Sequence, residues 1–132
     1  MLDCFIVGDS IAIGTSYFRP ECALIARSGI SSKGWVDRNI GKMPLQAKTV
    51  IISLGSNDTT KMKSAEEFHT IRAMTKADRV FWILPANKPD VRDILKSVAE
   101  YYGDTVLPIN SLEKDGVHPT TSGYKELAEK TK

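Results

Sequence analysis

The 132-residue chain has no long hydrophobic run, and its charges nearly balance. No segment approaches the roughly 20 consecutive apolar residues that a membrane-spanning helix needs. The formal net charge is only +2, and the lysines are scattered, which argues against nucleic acid or an anionic membrane as a partner. No basic segment precedes the first apolar run at Cys4. The sequence as given therefore predicts a cytoplasmic protein without a signal peptide.

Cysteine and histidine are scarce, with two residues of each. Cys4 and Cys22 form no Cys-x-x-Cys pair, and His69 and His118 are 49 positions apart, so no metal site is predicted. Both cysteines fall in apolar stretches that we interpret as neighbouring strands. Two buried thiols are the favoured interpretation, and a disulfide is geometrically possible. The chain also lacks a glycine-rich phosphate loop, so no cofactor is predicted.

What the sequence does contain is a regular alternation of short apolar runs and amphipathic segments. The apolar runs predict strands over residues 4–7, 23–26, 49–54, 79–84 and 106–109. The amphipathic segments predict helices over residues 10–17, 33–40, 64–77, 89–102 and 122–130. This alternation implies right-handed crossovers and a parallel sheet covered on both faces. We expect one α/β domain over residues 1–132, a three-layer α/β/α sandwich with five parallel strands in the flavodoxin-like order 2-1-3-4-5.

Signals at helix ends support two of these assignments. Ser64 is a suitable N-cap, and Glu67, three residues later, would complete a capping box. Pro89 suits the first turn of the next helix, and Gly103 suits the position just after its end.

Polar segments follow several of the predicted strands. They are Gly8-Asp9-Ser10, Gly29, the Gly55–Asp58 segment and the Asp115–His118 segment. In a sheet of this order, ligands bind at the carboxyl ends of the strands, where the strand order reverses. We therefore expect these segments to line one crevice.

The residue types in this crevice suit a serine hydrolase. Ser10 would be the nucleophile, His118 its general base and Asp115 the carboxylate that orients the histidine. The backbone N–H of Ser10 and the side chain of Asn57 could donate to an oxyanion. Each segment also has a structural interpretation. Asp9 or Ser10 could cap a helix, and Asn57 or Asp58 could cap the next one. Asp115 and His118 could form a surface turn, and Gly29 could be an ordinary loop glycine.

The three motifs resemble those of the SGNH (GDSL-type) hydrolases. Gly-Asp-Ser, Gly-x-Asn-Asp and Asp-x-x-His-Pro occur here in that superfamily's order, over residues 5–123. The resemblance implies a catalytic triad of Ser10, Asp115 and His118. It also implies an oxyanion hole formed by the Ser10 N–H, the Asn57 amide and a backbone N–H from the second sequence block.

That second block, residues 27–32, can be aligned with the superfamily in two registers. One places Gly29 at the donor position and the other places Ser32 there. Gly29 is the preferred prediction. The chain is also short for the superfamily and shows no long insertion, and insertions usually shape the substrate pocket.

The function predicted from these residues is a serine esterase with an open, shallow site. Such a site suits short acyl groups, above all acetyl, and the substrate could be an acetylated carbohydrate. The same triad could instead transfer the acyl group to a sugar. Two further alternatives are a non-catalytic module that binds a glycan or a protein, and a flavodoxin-like binding domain.

Overall fold

Strands and helices alternate along residues 2–42 and 44–132, which are the residues that the computed structural model describes. The strands are β1 (Leu2–Gly8), β2 (Ala23–Ala26), β3 (Leu45–Ser53), β4 (Thr75–Lys76), β5 (Arg79–Ile83) and β6 (Thr105–Leu107). The helices are α1 (Ser10–Ser16), α2 (Ser32–Asn39), α3 (Ser64–Ala73), α4 (Pro89–Tyr102) and α5 (Thr121–Lys130).

The five main strands form a parallel sheet in the order β2-β1-β3-β5-β6, which confirms the predicted order. The short strand β4 was not predicted, because its residues were assigned to the preceding helix. That helix ends at Ala73, and Thr75 then pairs with Leu45 at the start of β3. β3 itself begins four residues earlier than predicted, since alternate residues such as Leu45 and Ala47 face the interior.

Alternating side chains of the central strands face two separate apolar cores. On one face, Val7 and Ile52 pack with residues of α2, α3 and α4. On the other face, Ile6 and Ile51 pack with residues of α1 and α5. This alternation is the period of two that a β-strand imposes, and it produces the predicted three layers.

The two predicted helix ends had different outcomes. Pro89 opens α4, and Gly103 ends it in the left-handed conformation at φ +72°, as predicted. The prediction of a capping box at Ser64 was wrong. Lys63 occupies the N-cap position of α3, and the Ser64 hydroxyl donates to the buried carboxylate of Asp58 at 2.7 Å. The Ser64 hydroxyl, which the local sequence predicted to cap the helix, therefore binds Asp58 instead.

The two cysteines are joined by a disulfide, in place of the favoured pair of free thiols. Cys4 of β1 and Cys22, which immediately precedes β2, have Cα atoms 4.7 Å apart. The parallel pairing of these strands brings the two residues together. Among the helices of the described residues, none has both the length and the hydropathy needed to cross a bilayer.

Candidate active site

The turn between β1 and α1 places Ser10 at the carboxyl end of the sheet. Gly8 adopts φ +142°, and a Cβ atom there would lie 1.8 Å from the backbone oxygen of Ser53. Only glycine allows the backbones of β1 and β3 to approach so closely. The Asp9 N–H then donates to that same Ser53 oxygen at 3.0 Å.

Asp9 caps helix α1. Its Oδ1 accepts from the Ile11 N–H at 3.0 Å and from the Ser53 hydroxyl at 3.2 Å. The residue is fully buried, and burial raises the pKa of its carboxyl to about 6, against the opposing effect of these hydrogen bonds. Within residues 2–42 and 44–132, its Oδ2 has no hydrogen-bond partner. Because Asp9 supplies the cap, the neighbouring hydroxyl of Ser10 is free to face the crevice.

The loop between β6 and α5 fixes His118 through Asp115. Asp115 Oδ1 accepts from the backbone N–H groups of Val117 at 2.8 Å and His118 at 3.0 Å. Its Oδ2 lies 2.7 Å from His118 Nδ1. The hydrogen bond from the His118 side chain, followed by the two backbone N–H groups, lowers the pKa of the Asp115 carboxyl to about 2.

An ionised carboxylate can only accept hydrogen bonds. The proton between Asp115 and His118 therefore lies on Nδ1, and in the neutral imidazole Nε2 is then the acceptor. Nε2 lies 2.9 Å from Ser10 Oγ, although the two residues are 108 positions apart in the chain. The structure thus brings together Ser10, His118 and Asp115 in one continuous chain of hydrogen bonds.

This chain of hydrogen bonds lies at the surface. The His118 and Asp115 side chains are 41% and 48% exposed, and Ser10 is half-buried. The end of this chain of hydrogen bonds formed by His118 and Asp115 is therefore open to solvent.

The sheet also brings the second sequence block next to the Gly55–Asp58 segment. The Asn57 side-chain amide donates to the backbone oxygen of Ile30 at 3.0 Å, and an amide NH₂ group carries a second N–H. Gly29 is exposed, adopts φ +78° and has open space where a Cβ would lie. The Ser32 N–H donates to Asp58 Oδ1 at 2.8 Å. Because that N–H is already bound, the register with Ser32 as an oxyanion donor is disfavoured.

Several solved structures share this arrangement of strands and helices. A candidate acylhydrolase from Bacteroides fragilis has a TM-score of 0.70 at 19% identity, covering 97% of this chain and 83% of its own. The catalytic domain of a peptidoglycan O-acetyltransferase from Streptococcus pneumoniae gives 0.60 at 17% identity, covering 96% and 88%. An acetyl xylan esterase from Butyrivibrio proteoclasticus gives 0.57 at 12% identity, covering 97% and 61%.

The chain has the SGNH hydrolase fold. At these identities the likeness concerns the fold. The sequence matches no protein-family model and no curated protein.

Beside the Asn57 loop, the SGNH fold of this chain forms a groove of about 270 Å³. Its walls come from the loop that follows β3 and from the start of α4, and they include Met62, Val91 and Ile94 together with Asn87 and Lys88. The sequence pattern gave no sign of this groove, because its two walls are separated by some 25 residues. Apolar residues on the open side of α4 were indistinguishable from core residues by periodicity alone.

From the sequence, Asp58 was only a possible cap of the next helix, and the structure assigns that position to Lys63. Asp58 is 1% exposed and accepts three hydrogen bonds, from the Ser32 N–H, the Ser32 hydroxyl and the Ser64 hydroxyl. A carboxylate directly after a predicted oxyanion donor was the available signal, but its partners could not be inferred from spacing.

Proposed function

We propose that this protein is a serine esterase that removes short acyl groups, above all acetyl, from an alcohol. The observation that carries the proposal is the chain of hydrogen bonds from Ser10 Oγ to His118 Nε2 at 2.9 Å, and from His118 Nδ1 to Asp115 Oδ2 at 2.7 Å. The shared fold with solved acyl-ester enzymes supports the same reaction class.

In the proposed reaction, Ser10 Oγ attacks the ester carbonyl while His118 Nε2 takes its proton. The tetrahedral intermediate collapses, and His118 returns the proton to the leaving alcohol. Water then attacks the acyl-serine by the same route and releases the carboxylic acid. Asp115 holds the Nδ1 tautomer throughout and stabilises the imidazolium.

The proposed oxyanion hole combines three donors. The Ser10 N–H lies at the start of α1, the Asn57 amide lies beside the crevice, and Gly29 supplies the N–H of the second block. Preorganised donors of this kind act where negative charge develops. Asn57→Ala should lower kcat by roughly 10²–10³ with little change in the free energy of unfolding. A decrease in kcat of less than threefold would show that Asn57 is not a donor in the oxyanion hole.

Short acyl groups on a carbohydrate are the substrate class we favour. The triad is open to solvent, so it can accept a bulky alcohol such as a sugar. Two structures with the same fold act on acetyl groups of carbohydrate polymers according to their names, peptidoglycan and xylan.

The test is the turnover of 4-nitrophenyl acetate, butyrate and octanoate by the wild type and by Ser10→Ala. We expect acetate to be hydrolysed fastest. The variant should lose several orders of magnitude in kcat, because the members of a triad act as a unit. Equal turnover by the two proteins would exclude the serine mechanism. A preference for octanoate would exclude the short-acyl assignment.

Acyl transfer is the second candidate, because the fold is shared with an O-acetyltransferase and the exposed side chains of His118 and Asp115 leave room for an acceptor sugar beside the proposed acyl-serine. Adding oligosaccharide acceptors to the acetate assay separates the two reactions. Acetylated sugar as the main product would establish a transferase, and free acetate as the main product would establish a hydrolase.

The cytoplasmic location stays a prediction that the disulfide argues against. Disulfides are rare in the reducing cytosol and common in exported proteins. With Cys4 and Cys22 bridged, we favour an oxidising compartment. Alkylation with and without prior reduction would show whether the protein purified from its native cells carries the bond.

A further inference from the structure

Asp58 stands out because the proposed reaction does not use it, although its carboxylate lies beside the crevice and is 1% exposed. Burying a carboxylate is costly unless hydrogen bonds stabilise its charge. Here Oδ1 accepts from the Ser32 N–H at 2.8 Å, while Oδ2 accepts from the Ser32 hydroxyl at 2.6 Å and the Ser64 hydroxyl at 2.7 Å.

These hydrogen bonds join two loops that come from different parts of the chain. Asp58 binds Ser32, and its neighbour Asn57 binds the backbone of Ile30 at 3.0 Å. Two adjacent residues, Asn57 and Asp58, therefore hold the second block through hydrogen bonds to Ile30 and Ser32. The third partner, Ser64, anchors the same carboxylate to the first turn of α3.

We infer that Asp58 is a positioning residue, which holds residues 29–32 against the Asn57 loop so that both loops present donors to one oxyanion. The inference rests on the proposed esterase function. Asp58 does not touch the substrate. It acts through its hydrogen bonds to Ser32, which lies three residues after Gly29 in the same loop, and through the peptide bond that joins it to Asn57.

The geometry makes a separate prediction for each hydroxyl partner of Asp58. Ser32 and Ser64 donate to the same oxygen at nearly the same distance, and both are buried. Removing either hydroxyl deletes one equivalent hydrogen bond to a charged group, so the two variants should lose similar stability. Only Ser32 belongs to the second block. Ser32→Ala and Ser64→Ala are therefore a matched pair.

The experiment measures kcat and KM for 4-nitrophenyl acetate, with urea unfolding of each variant. We expect Ser32→Ala to lower kcat on the order of tenfold to a hundredfold, since misplacement by about 1 Å can have that effect. KM should be nearly unchanged. Ser64→Ala should keep kcat within about twofold of wild type at the same loss of stability. Equal loss of kcat in both variants, or in neither, would overturn the inference.

Asp58 itself is tested by Asp58→Asn and Asp58→Ala. The amide retains one acceptor oxygen for the Ser32 N–H, and the two hydroxyls can rotate to accept from its NH₂ group. Asp58→Asn should therefore recover most of the kcat that Asp58→Ala loses. If Asp58→Ala does not fold, the two serine variants decide the question. An Asn variant as inactive as a folded Ala variant would count against positioning.

Amide hydrogen exchange gives a readout that does not depend on turnover. Residues 29–32 should exchange faster in Ser32→Ala than in Ser64→Ala, while the central strands stay protected in both. If the wild type hydrolyses no ester, the proposed function fails, and exchange alone then decides whether Asp58 fixes this loop. Unchanged exchange at residues 29–32 in Ser32→Ala would overturn the inference even if the esterase assay succeeds.

Discussion

The turn that carries Ser10 and the loop that carries His118 are held by different parts of the molecule. In the turn, Gly8 packs against the Ser53 backbone, and Asp9 is fully buried between β3 and α1. In the loop, Asp115 is 48% exposed and binds groups within three residues of itself. The proposed nucleophile, Ser10, is therefore held by contacts with the core, and the proposed base, His118, is held by a short surface loop.

This difference separates stability from catalysis. A change in the buried turn should disturb the sheet and the site together, because the same contacts support both. A change in the exposed loop should affect the site and leave the core intact.

The largest expected effect belongs to the exposed loop. Asp115→Asn should lower kcat by about 10³–10⁴, because an amide does not hold the imidazole in the required tautomer or stabilise its positive charge. The free energy of unfolding should change much less than the activity, because Asp115 is exposed and its hydrogen bonds lie within its own loop. Ester kinetics and urea unfolding measure the two quantities.

Glu113→Gln is the matched control for Asp115→Asn, since Glu113 is an exposed carboxylate in the same loop. It should retain wild-type kcat. An Asp115→Asn variant that stays within tenfold of wild type would show that Asp115 does not orient the base. A large loss of stability would show that the loop depends on more than its own contacts.

The next effect belongs to the buried turn. Gly8→Ala places a Cβ 1.8 Å from a backbone oxygen at φ +142°, so either the strands must separate or the turn must change conformation. We expect a loss of about 3 kcal/mol or more in the free energy of unfolding, measured by urea denaturation. Activity should fall with it.

Gly116→Ala gives the counterpart in the exposed loop. Gly116 has φ +69°, and no atom beyond its chain neighbours lies within 4 Å of its Cβ position. Alanine there costs only what a left-handed backbone costs a residue with a Cβ, about 1–2 kcal/mol. Equal destabilisation by the two glycine variants would contradict the distinction between the two regions.

The last effect concerns the pH dependence of stability. Burial raises the pKa of Asp9 from 3.8 to about 6, so between these values the folded protein binds more protons than the unfolded chain. The contribution of Asp9 to the free energy of unfolding is fully present below pH 3.8 and is lost as the pH rises through 6. The loss amounts to at most about 3 kcal/mol.

Asp9→Asn removes this titration while keeping an acceptor for the Ile11 N–H. The difference in unfolding free energy between variant and wild type should therefore shift in favour of the variant from pH 4 to pH 7. Urea unfolding at a series of pH values measures it. A difference that does not change with pH would show that Asp9 does not carry the raised pKa.

Much of the fold was predictable because its signals are local. Apolar runs such as residues 49–54 mark central strands that are buried on both faces, and alternation with helices leaves few topologies. The Asp115–His118 contact was also predictable, since a spacing of three residues brings the side chains together in one turn.

The remaining features depend on partners that are distant in sequence. The hydroxyl of Ser64 suits an N-cap by local rules, and only the approach of Asp58 redirects it. The sequence pattern of the preceding helix extends through Thr75 and Lys76, but these two residues pair with β3 and form a strand. The groove beside Asn57 exists only because α4 packs next to the loop after β3.

The sequence by itself determined which residues are chemically able to act, since Ser10, His118 and Asp115 can be identified from their types, order and strand ends. It also determined the sheet order, because periodicity and handedness constrain how strands can connect. The tertiary structure alone decided that Cys4 and Cys22 are bridged and that Asp58 binds Ser32. Each of these depends on distances and burial across separate elements, and no local preference encodes them.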